Sequence, residues 1–281
     1  GKGGQAQNEY AAVFGGEGNI ASGDYSAAVG GERNKAVGVK SAAIGGYLNT
    51  AKGDFSATFG GSNNTASGDY SVTIGGNLNK STGDNSATFG GSENTASGML
   101  SAAFGGQYNK ATEDYSAVFG GSGNQAIADS SAVFGGLSNI ASGDHSAVFG
   151  GKDNYATEQM SAVFGGSGNE ATEDYSAVFG GEGNKATEYL STAVGGGGNT
   201  ASGLNSTTLG GENNTASMPY SVTLGGSGNE ASSFHSAAVG GESNKATGDK
   251  SVVIGGQNGI ASKNYSVTLG GEGTSADAEY A

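Results

Sequence analysis

A Gly-Gly pair returns every 15 residues, from Gly15-Gly16 to Gly270-Gly271, 18 times without an inserted or missing residue. A fixed period of this length signals stacked repeats, each too small to bury its own apolar surface. Residues 1–281 are therefore read as a single repeat domain of about 18 coils, with the last coil degenerate after about residue 271. Glycine supplies 57 residues, but these hold fixed phases beside fixed apolar positions, which flexible linkers do not. The Gly-X-Y period of collagen is absent.

Positions in the repeat are numbered here as the residue number modulo 15. Phases 11 to 14 read Ser-Ala-Val-Phe at Ser116 to Phe119, phases 0 and 1 are Gly-Gly, phase 4 is Asn, phase 6 is Ala, and phases 8 to 10 are often Gly-Asp-Tyr. Apolar segments this short, bounded by glycine, cannot sustain helices, which need roughly 10 residues or more. The repeat instead predicts a strand at phases 11 to 14, a turn, a second short strand at phases 4 to 7 and a second turn. The fold class is all-β: a β-solenoid of 15-residue coils with two short strands each, its tight corners made by Gly-Gly.

Period-two alternation divides the strand residues between two faces. Phase 14 is always large and apolar, and the expectation is that Phe104, Phe119, Phe134, Phe149, Phe164 and Phe179 fill the coil core, with Ala at phases 12 and 6 beside them. Phase 13 then points away from the coil interior, yet it is never charged. Val118, Val133, Val148, Val163 and Val178 would form an exposed apolar stripe, unusual on a soluble monomer. This predicts a partner face, most simply closed by a cyclic oligomer of identical chains with the valines on its axis. Phases 5 and 7 are mixed and polar, a solvent face.

Charge and composition exclude several roles. A net charge of -14 with only 12 Lys+Arg leaves no cationic footprint for nucleic acid. No apolar run of about 18 residues and no basic-then-apolar leader occurs, so neither membrane insertion nor a signal peptide is expected of this segment. With no cysteine there are no disulfides or thiolate metal sites.

Among recurring polar residues, Ser at phase 11, as at Ser116, Ser131 and Ser146, is expected to be a structural hydroxyl ladder. A catalytic role needs a base, and the two histidines, His145 and His235, lie six coils apart. Asn at phase 4, as at Asn109, Asn124 and Asn139, is expected to form a stacked amide ladder that satisfies backbone groups at the corner. Acidic turns at phase 9, including Asp114, Asp129 and Asp144, stack like charges. Either they are splayed and solvated or a divalent cation such as calcium relieves them; no other cofactor is indicated. Tyr and Phe at phase 10, such as Tyr25, Phe55 and Tyr115, suit packing across a corner or contact with another protein.

The pattern Gly-Gly-x-x-Asn-x-Ala-x-Gly-x-x-Ser-x-x-x, complete from Gly60 to Ile74 and from Gly135 to Phe149, resembles the YadA-like head repeat of trimeric autotransporter adhesins. The resemblance covers essentially the whole chain. It implies a left-handed parallel β-roll assembled as a homotrimer, and a bacterial cell-surface head, anchored through other regions, that attaches to host matrix proteins or surfaces. Glu113, Glu158, Glu173 and Glu188 depart from the pattern by replacing the turn glycine. The function expected is thus a non-enzymatic adhesin head. A segment of a phage tail fibre or other secreted fibre is the alternative. An ice-binding solenoid comes third, because phase 5 mixes Lys, Glu and Ile with Thr.

Overall fold

Gly-Gly at the corner and Asn three residues later turn the chain once per repeat, and each turn lays its strands beside those of the repeat before. The computed structural model describes residues 1–281, which fall into two compact units, Gly1–Ala141 and Ser142–Ala281. Each is a parallel β-solenoid with no helix. In the first, Ala57–Phe59, Val72–Ile74 and Ala87–Phe89 pair in parallel with a register shift of one repeat, Val72 against Ala57 and Ala87. The shorter strands, such as Thr65–Ala66 and Lys80–Ser81, form a second parallel ladder. The second unit repeats the scheme, with Thr207 opposite Val222 and Thr215 opposite Glu230.

A third ladder was not foreseen. Phase 2, inside the expected turn, makes parallel bridges such as Ser62 to Asn77 and Glu182 to Gly197. The turns bond between coils as well: Tyr70 N–H donates to Asp54 C=O at 2.8 Å and Asn63 N–H to Tyr47 C=O at 2.9 Å. With so few apolar atoms per coil, this saturation of backbone groups by the neighbouring coil is what makes the stack stable.

The corner depends on glycine for two separate reasons. At Gly61, φ is +74° and a Cβ would lie 2.3 Å from the Gly76 carbonyl oxygen, so both conformation and space forbid a side chain. At Gly60 nothing crowds the position, and only its φ of +63° favours glycine.

The faces of the long strand are opposite to expectation. Val118, Val133, Val148, Val163 and Val178 are each fully buried, at 0 % exposure, within their own chain, and therefore are not an intermolecular stripe. Phe104, Phe119, Phe134, Phe149, Phe164 and Phe179 point outward and are 39 to 44 % exposed, so they are not the coil core. Ala at phase 12 shares that outer face and is half-buried, as at Ala117 and Ala132. The period of two holds; its phase is shifted by one.

Volume explains the shift. The inside of a 15-residue coil holds, at each level, the phase-13 side chain, Ala at phase 6, Asn at phase 4 and Ser at phase 11, all buried, as with Val118, Ala126, Asn124 and Ser116. There is no room for a phenyl ring among them. Phase 13 is accordingly Val, Ala or Thr throughout, whereas phase 14 varies freely among Phe, Leu, Ile and Val because it faces outward.

Candidate interaction surface

The buried asparagines secure the corner from which the outer faces are built. Asn124 Nδ2 donates to the Gly120 carbonyl in its own coil at 2.9 Å and to the Gly136 carbonyl in the next at 3.0 Å. Its Oδ1 accepts the backbone N–H of Asn139 at 3.0 Å. Asn109 makes the same set, to Gly105, Gly121 and the N–H of Asn124. Each amide thus uses both donors and its acceptor without water, as a buried amide requires. Toward the C-terminus Gly259 takes the ladder position, and its N–H still donates to Asn244 Oδ1 at 2.8 Å.

Ser116, Ser131 and Ser146 are equally committed to structure. Ser116 Oγ donates to the Glu113 carbonyl at 2.6 Å and Ser131 Oγ to that of Ala128 at 2.7 Å, while Ser146 Oγ accepts the N–H of Gly143 at 3.2 Å. Each hydroxyl ties down the turn three residues before it, within its own coil. All three are buried. His145 and His235 are exposed turn residues of the second unit, and His235 stacks on Tyr220 with ring centroids 4.8 Å apart.

The acidic turns resolve their repulsion in a way the sequence did not reveal. Asp54 Oδ1 accepts the N–H of Val39 at 2.8 Å, Asp69 that of Asp54 at 2.9 Å, and Asp84 that of Asp69 at 2.9 Å. Asp114 accepts the N–H of Met99 at 2.8 Å. Each carboxylate is a cap on the turn of the preceding coil, and an ionised acceptor strengthens such a bond. Asp129 is exposed in the first unit and Asp144 in the second. No three His, Asp or Glu side chains come together as a metal-binding group.

What remains for function is the outer surface. In the first unit Phe89, Phe104, Phe119 and Phe134 form a column of parallel rings, with neighbouring centroids 4.9 to 5.1 Å apart. In the second, Phe149, Phe164 and Phe179 stack at 4.7 and 4.5 Å. Stacking covers the ring faces and leaves the edges in solvent, beside half-buried alanines. A second aromatic series runs along phase 10, where Phe55 stacks on Tyr70 at 4.7 Å and the ammonium of Lys40 lies 4.9 Å from the Phe55 ring centroid. Its residues have positive φ, Tyr70 at 58°.

The chain is thus a parallel β-solenoid whose interior is spent on hydrogen bonding and whose chemistry lies on repetitive outer faces. No protein-family model matches its sequence, and neither does any curated protein.

Proposed function

We propose that this chain is a non-enzymatic adhesin head, displayed outside a bacterial cell and assembled from three identical chains. The observation that carries the reading is the outward phenylalanine column. Phe119 and Phe134 are each 44 % exposed, and the apolar face continues through Ala117 and Ala132. A continuous apolar stripe of this kind on a folded chain favours a partner that covers it. Identical chains with one identical stripe each are covered together by cyclic closure around it. The interface so proposed is the Phe stripe, in place of the buried valines. The resemblance to YadA-like head repeats supports three as the number and surface attachment as the role. The buried, carbonyl-bound serines and the separated histidines support a scaffold over an enzyme.

Light scattering on the purified chain tests this reading: a particle of three chain masses is expected, and a monomer at micromolar concentration overturns it. Attachment is tested by binding to immobilised matrix proteins.

A further inference from the structure

On the other sheet, away from the phenylalanines, a cleft of about 370 Å³ is lined by Leu78, Lys80, Glu93, Thr95, Tyr108 and Lys110. Its size falls in the range of small-ligand sites, about 300 to 1,000 Å³. The six residues occupy phases 3 and 5 of three successive coils. We propose that this cleft binds an acidic saccharide, with Lys80 and Lys110 holding its carboxylate or sulfate, Leu78 and Tyr108 packing on the sugar ring, and Glu93 and Thr95 bonding its hydroxyls.

Three observations lead there. First, phase 3 turns outward at positive φ in every coil, and many coils carry glycine there, such as Gly123, Gly168, Gly183 and Gly198, which leaves no wall. At Leu78, Glu93 and Tyr108, all with φ of 57°, bulky side chains stand in its place and form the cleft wall. Second, Leu78 and Tyr108 are 40 and 52 % exposed, an apolar and aromatic platform on the chain's surface.

Third, the lysines are unpaired. At the same phase in the second unit, Lys185 pairs with Glu170 at 3.1 Å and Lys245 with Glu230 at 3.4 Å, one coil before each. The residues one coil before Lys80 and Lys110 are Thr65 and Thr95, and neither lysine has a carboxylate within ion-pair reach. Two cations against one carboxylate leave a local excess of one positive charge on a chain of net charge -14. One excess cation suits a singly charged sugar, and Glu93 in the middle repels polyphosphates while accepting hydroxyl protons. Two larger or comparable clefts lack this combination: one is lined by glycines, Asn213, Glu182 and Glu212, the other by Asp144, Glu158 and uncharged polar residues.

This gives the attachment role proposed above its ligand class and rests on that reading. The test titrates the full chain with sialyllactose, sulfolactose and lactose, reading binding by calorimetry and assembly by light scattering on the same samples. At least one acidic sugar is expected to bind about tenfold or more tightly than lactose. The double variant Lys80→Gln, Lys110→Gln is expected to lose that preference. Tyr108→Gly, which places glycine where φ is positive, is expected to lose binding without a lower melting temperature. Binding of sialyllactose alone assigns a carboxylate, and of sulfolactose alone a sulfate. Absence of saturable binding to either acid, no preference over lactose, or a preference that survives the lysine substitutions overturns the proposal. A trimer that ignores all three sugars overturns the cleft alone; a monomer that binds overturns the trimer alone.

Discussion

The backbone N–H of Asp69 donates to the carboxylate of Asp84, one coil further along, at 2.9 Å. The same relation joins Asp54 to Asp69, so one residue type is donor to the next coil and acceptor from the one before. Stacked acidic residues that look like a cation site in sequence are thereby a chain of turn caps. Chelation by EDTA is expected to leave the melting temperature unchanged. Asp84→Asn, which keeps the acceptor, is expected to cost less than about 0.5 kcal/mol, and Asp84→Ala about 0.5 to 1.5 kcal/mol. Chemical denaturation of the two variants with and without EDTA checks both; a chelator-induced loss restored by calcium would indicate a bound ion instead.

Asn124 holds three buried bonds at once. Asn124→Ala leaves the Gly120 carbonyl and the N–H of Asn139 without partners, while the Gly136 carbonyl keeps the Ser122 N–H, and a cost of about 2 to 4 kcal/mol is expected. Because Oδ1 and one Nδ2 bond reach forward, hydrogen exchange should accelerate most at Asn139 and its corner. Equal acceleration at Asn109 would contradict this assignment.

Val133 and its neighbour Phe134 separate interior from surface. Val133→Phe forces a ring into a space already filled, and a loss of about 1 to 3 kcal/mol or more is expected. Phe134→Ser is expected to change the stability of the chain by less than about 1 kcal/mol while weakening the proposed assembly. Thermal melts read the first, and light scattering at a series of dilutions reads the second.

Thr223 is fully buried and its hydroxyl has no hydrogen-bond partner. Its counterparts three to seven coils earlier are valines of nearly the same shape. Thr223→Val is expected to raise stability by about 1 kcal/mol, since an unmade buried hydrogen bond is costly. An unchanged or lower denaturation midpoint would show that the hydroxyl has a partner in solution.

The period, the strand positions and the Asn ladder were legible because each rests on a residue that only one environment suits. Gly61 needs both its φ and its lack of Cβ, and its pair recurs without substitution, while Asn64 makes three side-chain bonds and its position departs from Asn only at Gly4, Gly259 and Thr274. The face assignment failed because hydrophobicity was read without volume. Phe119 is more apolar than Val118, but only Val118 fits between the walls of so small a coil. The limit on size at phase 13, set beside the tolerance at phase 14, carried the right answer.

Other features were hidden for a different reason. Phase 2 varies among Lys, Glu, Ser, Tyr, Asn, Gln, Leu and Gly, because its bridges use only the backbone and leave no mark on the side chain. The cleft around Tyr108 lay at a phase that reads as a turn, and its one sequence signal was the succession of bulky Leu78, Glu93 and Tyr108 before Gly123.

The forward reach of the asparagine side chain gives the stack a direction in time. Asn109 receives the N–H of Asn124 and donates to the Gly121 carbonyl, so the latch for a coil belongs to the coil before it. A chain delivered from its N-terminus therefore presents a finished socket at each coil that carries the asparagine, and the next 15 residues dock onto a template already in place.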